Sequence, residues 1–379
     1  MNIIISEEDK SLENNIIKLN IEPKQIRTAI SLFSGAGGDN LGMKNAGFNV
    51  VGFVEIEKTF IRTHLSNFSE TNLIIDDITK ITTNHLDQYK DKIDVIFGGF
   101  PCQTFSHAGK KDSTDSRGFL YSYFLAVINY VRPRIAIGEN VPGLLKREIS
   151  KGNLFIDSIN VDVGKIGYKL KTIIVDASCF GVPQKRKRLL LFIYRSEDEI
   201  IISDVMTKIY NYNKEPKISI KSIIEPSLEN AIDITSNANV SNMIPQDKYF
   251  IINDNNIQIT GNPATNLTKC YNFVYTSGLS FKSRIKSTYS CIEDIDEPTH
   301  TILCTYGRMP RLFIPILNIA NNKKYIRTFT INELKQIQGF PKEFKMEGTN
   351  IEVITQIGNA IPPIVVRQIM LFLKESFEW

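Results

Sequence analysis

The stretch Gly98-Gly99-Phe100-Pro101-Cys102-Gln103-Thr104-Phe105-Ser106 sets a thiol immediately behind a strand-breaking proline. The apolar run Val95-Ile96-Phe97 enters it as a buried strand would, and the glycine pair and proline turn the chain at its end. A thiol handed over at a sheet's rim is placed as a nucleophile, although a lone cysteine is more often an inert core residue. What separates the two readings is company. Arg134-Ile135-Ala136-Ile137-Gly138 is a further apolar strand, and it ends at Glu139-Asn140-Val141-Pro142. A carboxylate at the same rim as the thiol completes a nucleophile and acid pair. The basic cluster Gln184-Lys185-Arg186-Lys187-Arg188 directly precedes the buried pattern Leu189-Leu190-Leu191-Phe192-Ile193, so its arginines lie close to the sheet.

The elements that must position these groups alternate between strand and helix. Thr28-Ala29-Ile30-Ser31-Leu32-Phe33, Phe48 to Val54, Asn72-Leu73-Ile74-Ile75 and Thr172-Ile173-Ile174-Val175 read as further strands, with helical stretches between the first of them. Strands apolar throughout predict an α/β fold whose parallel sheet is covered on both faces. Ligands of such sheets sit beyond the carboxyl ends of the strands. There the chain places Ser34-Gly35-Ala36-Gly37-Gly38, Glu55, Asp77 and Cys102. The glycines allow close backbone approach, and a carboxylate about 20 residues on suits a ribose diol. The Gly-x-Gly-Gly spacing is not the Gly-x-Gly-x-x-Gly of a pyrophosphate site. With Asp77 suited to an adenine amino group, a nucleoside cofactor without phosphate, S-adenosyl-L-methionine, fits better.

Beyond Cys102 the loop carries Lys110, Lys111, Asp115, Ser116 and Arg117 between Gly109 and Gly118, the composition of a closing lid. From about Ser196 to Tyr325 the alternation stops and no helical periodicity of any length is expected. Basic and aromatic residues interleave there, including Lys269, Tyr271, Phe281, Lys282, Arg284, Lys286, Tyr306, Arg308 and Arg311, which reads as a loop-rich, mostly β contact module. Thr330-Ile331-Asn332-Glu333 has the form of a capping box. A last helix from about Pro363 to Phe377 is expected to return to the large sheet.

At 379 residues the chain is long enough for a large core and a smaller second domain. A net charge of +4 confines any nucleic-acid surface to a local patch. The five cysteines form no Cys-x-x-Cys pair and the four histidines lie far apart, which argues against zinc, so no metal is expected. Scattered cysteines, no signal-peptide pattern and no membrane-length apolar run suggest a reduced, cytoplasmic protein.

With these residues in place the sequence resembles the DNA cytosine-5 methyltransferases of bacterial and phage restriction-modification systems, over nearly its whole length. Phe33 to Gly38 is similar to the family's cofactor loop, Gly98 to Ser106 to its Pro-Cys motif, and Glu139-Asn140-Val141 to its Glu-Asn-Val motif. Gln184 to Arg188, Arg327 to Pro341, and Gln356-Ile357-Gly358-Asn359-Ala360-Ile361-Pro362 follow in the family's order. Phe100 stands where many members have a second proline. The resemblance implies a Rossmann-like catalytic domain over 1–195 and 352–379, and a smaller β-containing target recognition domain with a return hinge over 196–351. It implies that Cys102 attacks ring carbon 6 of a flipped cytosine and Glu139 serves ring nitrogen 3. Arg188 would hold the ring carbonyl oxygen, and Arg186 would support the thiol or a phosphate. Phe33, Gly35, Ala36, Gly37, Gly38, Glu55, Ile56, Asp77, Ile78, Phe100, Pro101, Leu120, Asn359 and Ala360 would bind the cofactor, leaving S-adenosyl-L-homocysteine as product. Gln103, Ser106, Lys110, Lys111, Arg117, Lys282, Arg284, Lys286, Thr301 and Arg308 would contact DNA. The implied partners are duplex DNA with a specific cytosine target and a cognate restriction endonuclease, with no membrane and a monomeric enzyme.

An RNA cytosine-5 methyltransferase shares the same motifs, but a tRNA modifier has little use for the long module after Ser196. A nicotinamide oxidoreductase would account for Glu55 and leave Cys102, Glu139 and the arginines without a shared task. A catalytically dead DNA-binding homologue sits poorly with an intact nucleophile, acid and cofactor loop.

Overall fold

The structure is a computed structural model that describes residues 26–101, 120–261, 278–283 and 290–379. Cys102 and the expected lid lie outside the described residues, and with them Gln103, Ser106, Lys110, Lys111 and Arg117; so do Arg284 and Lys286.

Seven strands form the large sheet: β1 (Thr28–Leu32), β2 (Asn49–Val54), β3 (Asn72–Ile75), β4 (Val95–Gly98), β5 (Ile135–Asn140), β8 (Lys169–Asp176) and β10 (Lys187–Tyr194). Their order is β3-β2-β1-β4-β5-β10-β8, and β10 runs antiparallel to both of its neighbours. The sheet is therefore mixed but mostly parallel. A small hairpin, β6 (Glu148–Ser150) and β7 (Asn153–Leu154), leads into the next helix. Successive side chains along a strand point to opposite faces, and here both faces are apolar. Ala29, Val95, Phe97, Ile135, Ile137, Leu190 and Phe192 face one core. Ile30, Leu32, Ile96, Ala136, Leu189, Leu191 and Ile193 face the other.

The first core is closed by three helices, Gly38–Asn45, Glu199–Tyr212 and Pro363–Ser376. The second of these corrects the sequence reading, which saw no helix past Ser196. Ile202, Val205 and Ile209 recur at helical spacing and are fully buried in the large domain's core, though the surrounding isoleucines and polar residues blur the pattern. The terminal helix forms where it was expected and buries Val365, Val366, Ile369, Met370, Phe372 and Leu373. Residues 350–376 are long and apolar enough to cross a membrane, but 67% of the most apolar window is buried and Ala360 to Pro362 break it into two helices. It is a core element.

The smaller sheet comprises β11 (Ile232–Asp233), β12 (Phe250–Ile252), β13 (Leu279–Phe281), β14 (Ser290–Ile292), β16 (Leu312–Asn318) and β17 (Lys323–Arg327). Its central β16 is buried along all seven residues. The capping box at Thr330 forms as read, with Glu333 N donating to Thr330 Oγ1 at 3.1 Å and Thr330 N donating to Glu333 Oε2 at 2.8 Å. The Ile331–Gln338 helix that it starts, and the Asn350–Asn359 helix, supply Leu334, Ile337, Val353 and Ile357 to the core beneath this sheet. A separate two-strand ladder joins the two halves: β9 (Gln184–Lys185) runs parallel to β15 (Thr299–His300).

Candidate active site

Where β1 ends, the chain turns through Phe33 (φ 56°), Ser34 and Gly35 (φ 55°). A side chain at Gly35 would meet nothing within 4 Å, so the loop lines open space there and the left-handed φ is what calls for glycine. Gly35 N donates to Glu55 Oε2 at 2.8 Å and Glu57 N to Glu55 Oε1 at 2.9 Å, which fixes the carboxylate at the end of β2. Burial raises the pKa of Glu55, against these two donors, which lower it. Next to it Ile56 is 62% exposed, an apolar surface turned outward where a flat heterocycle could lie. Ala36 is buried, and a Cβ on Gly38 would come within 2.4 Å of Ile361 O, so the loop rests directly on the C-terminal motif. A Cβ on Gly37 would meet the Phe68 ring at 2.8 Å. At the end of β3, Asp77 Oδ1 accepts from Thr79 N at 3.0 Å and from Thr79 Oγ1 at 2.7 Å, and Oδ2 pairs with Lys80 at 3.2 Å. Asp77 thus caps the turn that sets the buried Ile78 beneath the rim. An open glycine turn, a fixed carboxylate and an exposed aliphatic face suit a nucleoside cofactor.

Beneath the loop is a buried polar layer that sequence reasoning missed. Ser31 Oγ donates to Asp39 Oδ2 at 2.6 Å. His64 stacks on Phe53, with ring centroids 3.7 Å apart, and its two ring nitrogens lie 3.2 Å from Ser34 Oγ and 3.0 Å from Asn40 Nδ2. Burial pushes Asp39 up from 3.8 to about 7 and pulls His64 down from 6.5 to about 3. The raised Asp39 favours the fold at low pH, a contribution that fades as pH climbs towards 7. The depressed His64 favours the fold at neutral pH and loses that as pH falls from 6.5 towards 3. Between 3.8 and 6.5 the two slopes cancel, because the folded chain keeps a proton on Asp39 while the unfolded chain puts one on His64. Asp39→Asn removes one side of this balance. Its stability should fall relative to the unsubstituted protein by about 1.4 kcal/mol per pH unit as pH drops from about 7 to 3.8, the window between the folded and unfolded values of Asp39. Urea denaturation of both proteins at several pH values measures the difference, and parallel curves would refute it.

Past β4, Phe100 is buried against Phe124, and its carbonyl accepts from Asn140 Nδ2 at 3.2 Å. That bond ties the turn carrying Pro101, the last described residue before Cys102, to the end of β5. Leu120, half-buried, opens the Leu120–Val131 helix. Glu139 stands opposite Leu190 in the β5–β10 ladder, and Arg188, two residues before Leu190, places Nε 2.8 Å from Glu139 Oε1. Arg188 Nη1 donates to its neighbour's carbonyl, Lys187 O, at 2.8 Å. A Cβ on Gly99 would lie 3.4 Å from Glu139 Oε2, so the acid, its arginine and the turn leading into Cys102 share one corner of the rim.

Arg186, expected to support the thiol or a phosphate, is anchored among backbone carbonyls. It is buried, and its guanidinium donates to Ile302 O at 3.2 Å, Gly358 O at 2.9 Å and Ala360 O at 3.1 Å. Burial, then the nearby Arg188, lowers its pKa to about 9. Its Nε has no partner among the described residues. Gln184, which sequence reasoning left without a role, accepts from Ile302 N at 3.0 Å and donates to Gln338 Oε1 at 2.7 Å. Gly358 belongs to the same junction, since a Cβ there would lie 2.5 Å from Cys304 N. The alternation of Gln184, Arg186 and Arg188 was the available signal, as it puts all three on one face of an extended chain. Asn359 is exposed, and Ala360 is buried.

Of the expected DNA contacts that are described, Arg308 is exposed. Lys282 pairs with Asp294 at 3.2 Å and with Glu297, and the Thr301 hydroxyl donates to Lys185 O at 2.6 Å. Tyr306, read as part of the contact surface, is instead a core residue whose hydroxyl donates to Leu312 O at 2.9 Å.

Residues 27–375 match the family described as C-5 cytosine-specific DNA methylase. The chain is 29% identical to the type II methyltransferase M1.HphI of Haemophilus parahaemolyticus, covering 90% of this chain and 85% of that protein. It is 30% identical to the type II methyltransferase M.MspI of Moraxella sp., covering 91% and 71%. Among solved structures, S. pombe Dnmt2 methyltransferase aligns with a TM-score of 0.61 and 17% identity over 93% of this chain and all of that one, which shows a shared fold. This chain belongs to the C-5 cytosine-specific DNA methylases: it is a DNA (cytosine-5-)-methyltransferase whose methyl donor is S-adenosylmethionine.

Proposed function

We propose that the enzyme modifies one cytosine within a specific duplex sequence, flipped out of the helix, through a covalent bond between Cys102 and ring carbon 6. The observation that carries this reading is the pairing of Glu139 with Arg188 at 2.8 Å, at the rim beside the turn into Cys102. A base inside a duplex cannot reach such a rim, and flipping costs a few kcal/mol. Free cysteine titrates near pKa 8.5, so the site must promote thiolate formation. Attack of the thiolate on carbon 6 pushes negative charge towards ring nitrogen 3, where the protonated form of Glu139 donates its proton, and carbon 5 becomes an enamine carbon. Arg188, holding the Glu139 carboxylate through Nε and Lys187 O through Nη1, has its Nη2 donors to offer the ring carbonyl oxygen. S-adenosylmethionine supplies an electrophilic methyl group on a sulfonium. Carbon 5 takes that methyl group; its proton then passes to water as the Cys102 thiolate departs, nitrogen 3 returns its proton to Glu139, and the aromatic ring is restored.

Phe33, Gly35, Glu55, Ile56 and Asp77, with Asn359 and Ala360 from the far end of the chain, would hold the cofactor. Asp77→Ala should raise the cofactor KM about tenfold by removing both an acceptor and the cap that sets Ile78. Initial-rate kinetics over cofactor concentration would measure it, and an unchanged KM would undo the adenine assignment. In this reading the target recognition domain begins after the Glu199–Tyr212 helix, and the enzyme is a cytoplasmic monomer that protects host or phage DNA from a cognate restriction endonuclease. Bisulfite sequencing of DNA from cells expressing the protein is the decisive experiment. One methylated sequence context supports the proposal. Tritium transfer to tRNA in preference to duplex DNA would overturn it.

A further inference from the structure

Away from the active site, the tertiary structure assembles a donor set that sequence spacing hid. Cys291, Glu293 and His300 each bring a ligand atom within 4.8 Å of the others. Cys291 lies on β14 and Glu293 two residues further along the extended chain, so both side chains share a face. His300 arrives from β15. Cys291 and Glu293 are buried, while the His300 side chain is 27% exposed and leaves a route from solvent. Glu293 accepts from His300 N at 3.1 Å, and its two oxygens lie 3.0 and 3.1 Å from His300 Nδ1.

A buried carboxylate needs a compensating partner. The nearby lysines are committed elsewhere, Lys248 to Asp294 and Asp296, and Lys282 to Asp294 and Glu297. Among the described residues the partly buried imidazole of His300 is the only side chain hydrogen-bonded to the Glu293 carboxylate. Thiolate, carboxylate and imidazole together are a donor set for a borderline-soft cation. Ligands at zinc distances of about 2.0–2.3 Å from one ion stand about 3.3–3.8 Å apart in a tetrahedron. Small side-chain shifts would bring the present positions to that spacing.

We propose that Cys291, Glu293 and His300 bind a divalent cation of the zinc class, with one coordination position left to solvent. Binding releases the thiol proton and moves the imidazole proton to Nε2, exchanging the present hydrogen bond for coordination. The ion ties β14 to β15 and, through the β15–β9 ladder, ties the smaller sheet to the segment that carries Arg186 and Arg188.

The test uses the full-length protein, freed of metal by a chelator and titrated with Cd2+, whose thiolate charge-transfer band reports sulfur ligation. The expected result is one equivalent bound with a band that Zn2+ displaces and that Cys291→Ala lacks. His300→Gln, at a half-exposed position, should weaken Zn2+ binding about tenfold or more and abolish the rise in Tm that Zn2+ gives the unsubstituted protein. No stoichiometric band in the unsubstituted protein, an undiminished band in Cys291→Ala, or unaltered Zn2+ affinity in His300→Gln would each overturn the proposal.

Discussion

Cys102→Ser is expected to lower methyl transfer by on the order of 10⁴-fold or more while leaving the cofactor dissociation constant within about a factor of two. A serine hydroxyl titrates far above a thiol, so almost none of it is ionised at neutral pH, and an alkoxide is a harder and poorer nucleophile towards an unsaturated ring carbon. Cofactor contacts should survive. The glycine turn, Glu55 and Ile56 stand on β1 and β2, and the Gly35–Glu55 bond does not involve the Pro-Cys turn. Tritium incorporation into duplex DNA measures the first quantity and calorimetric titration with the cofactor the second. Retained methylation would exclude the covalent mechanism, and lost cofactor binding would show that residue 102 shapes the cofactor site as well.

The second large effect concerns stability. Arg327 and Glu333 are both fully buried and pair at 2.6 Å. All five guanidinium donors are used: Nε to Ser227 O, Nη1 to Thr328 O and Glu333 Oε2, and Nη2 to Glu225 O and Glu333 Oε1. Glu333 also accepts from Glu225 N at 2.7 Å and Thr330 N at 2.8 Å. Glu333→Ala would leave a buried cation without its counter-charge and two backbone donors without an acceptor. The expected loss is about 3–5 kcal/mol, read as a lower urea midpoint. Arg327→Met combined with Glu333→Leu should cost less than Glu333→Ala alone, because it removes the stranded charge as well. A loss below about 1 kcal/mol for Glu333→Ala would mean that solvent reaches the pair.

Local pattern carried much of the architecture. Apolar runs such as Val95-Ile96-Phe97 and Leu189 to Ile193 have no exposed face, so they can only be central strands. Thr330 and Glu333 stand three apart, which is all that a capping box needs. The Glu199–Tyr212 helix escaped because its apolar positions are embedded among further isoleucines, and only burial against the large sheet distinguishes the inward ones. Tyr306 looked like a contact residue because an aromatic beside arginines reads the same whether it faces solvent or core.

The sequence by itself carried the candidate site, because Glu139, the glycine turn and the turn leading to Cys102 each follow an apolar strand, and the carboxyl ends of strands in such a sheet converge on one rim. Arg188 reaches that rim from the amino end of β10, because β10 runs antiparallel to its neighbours. What only the tertiary structure decided were partnerships between residues far apart in the chain. Arg186 holds the carbonyls of Ile302, Gly358 and Ala360. His64 supports Ser34 and Asn40, and Cys291 and Glu293 meet His300. The reason is physical: backbone periodicity is fixed by neighbours in the chain, whereas a buried polar group takes whatever donor or acceptor packing brings within 3 Å.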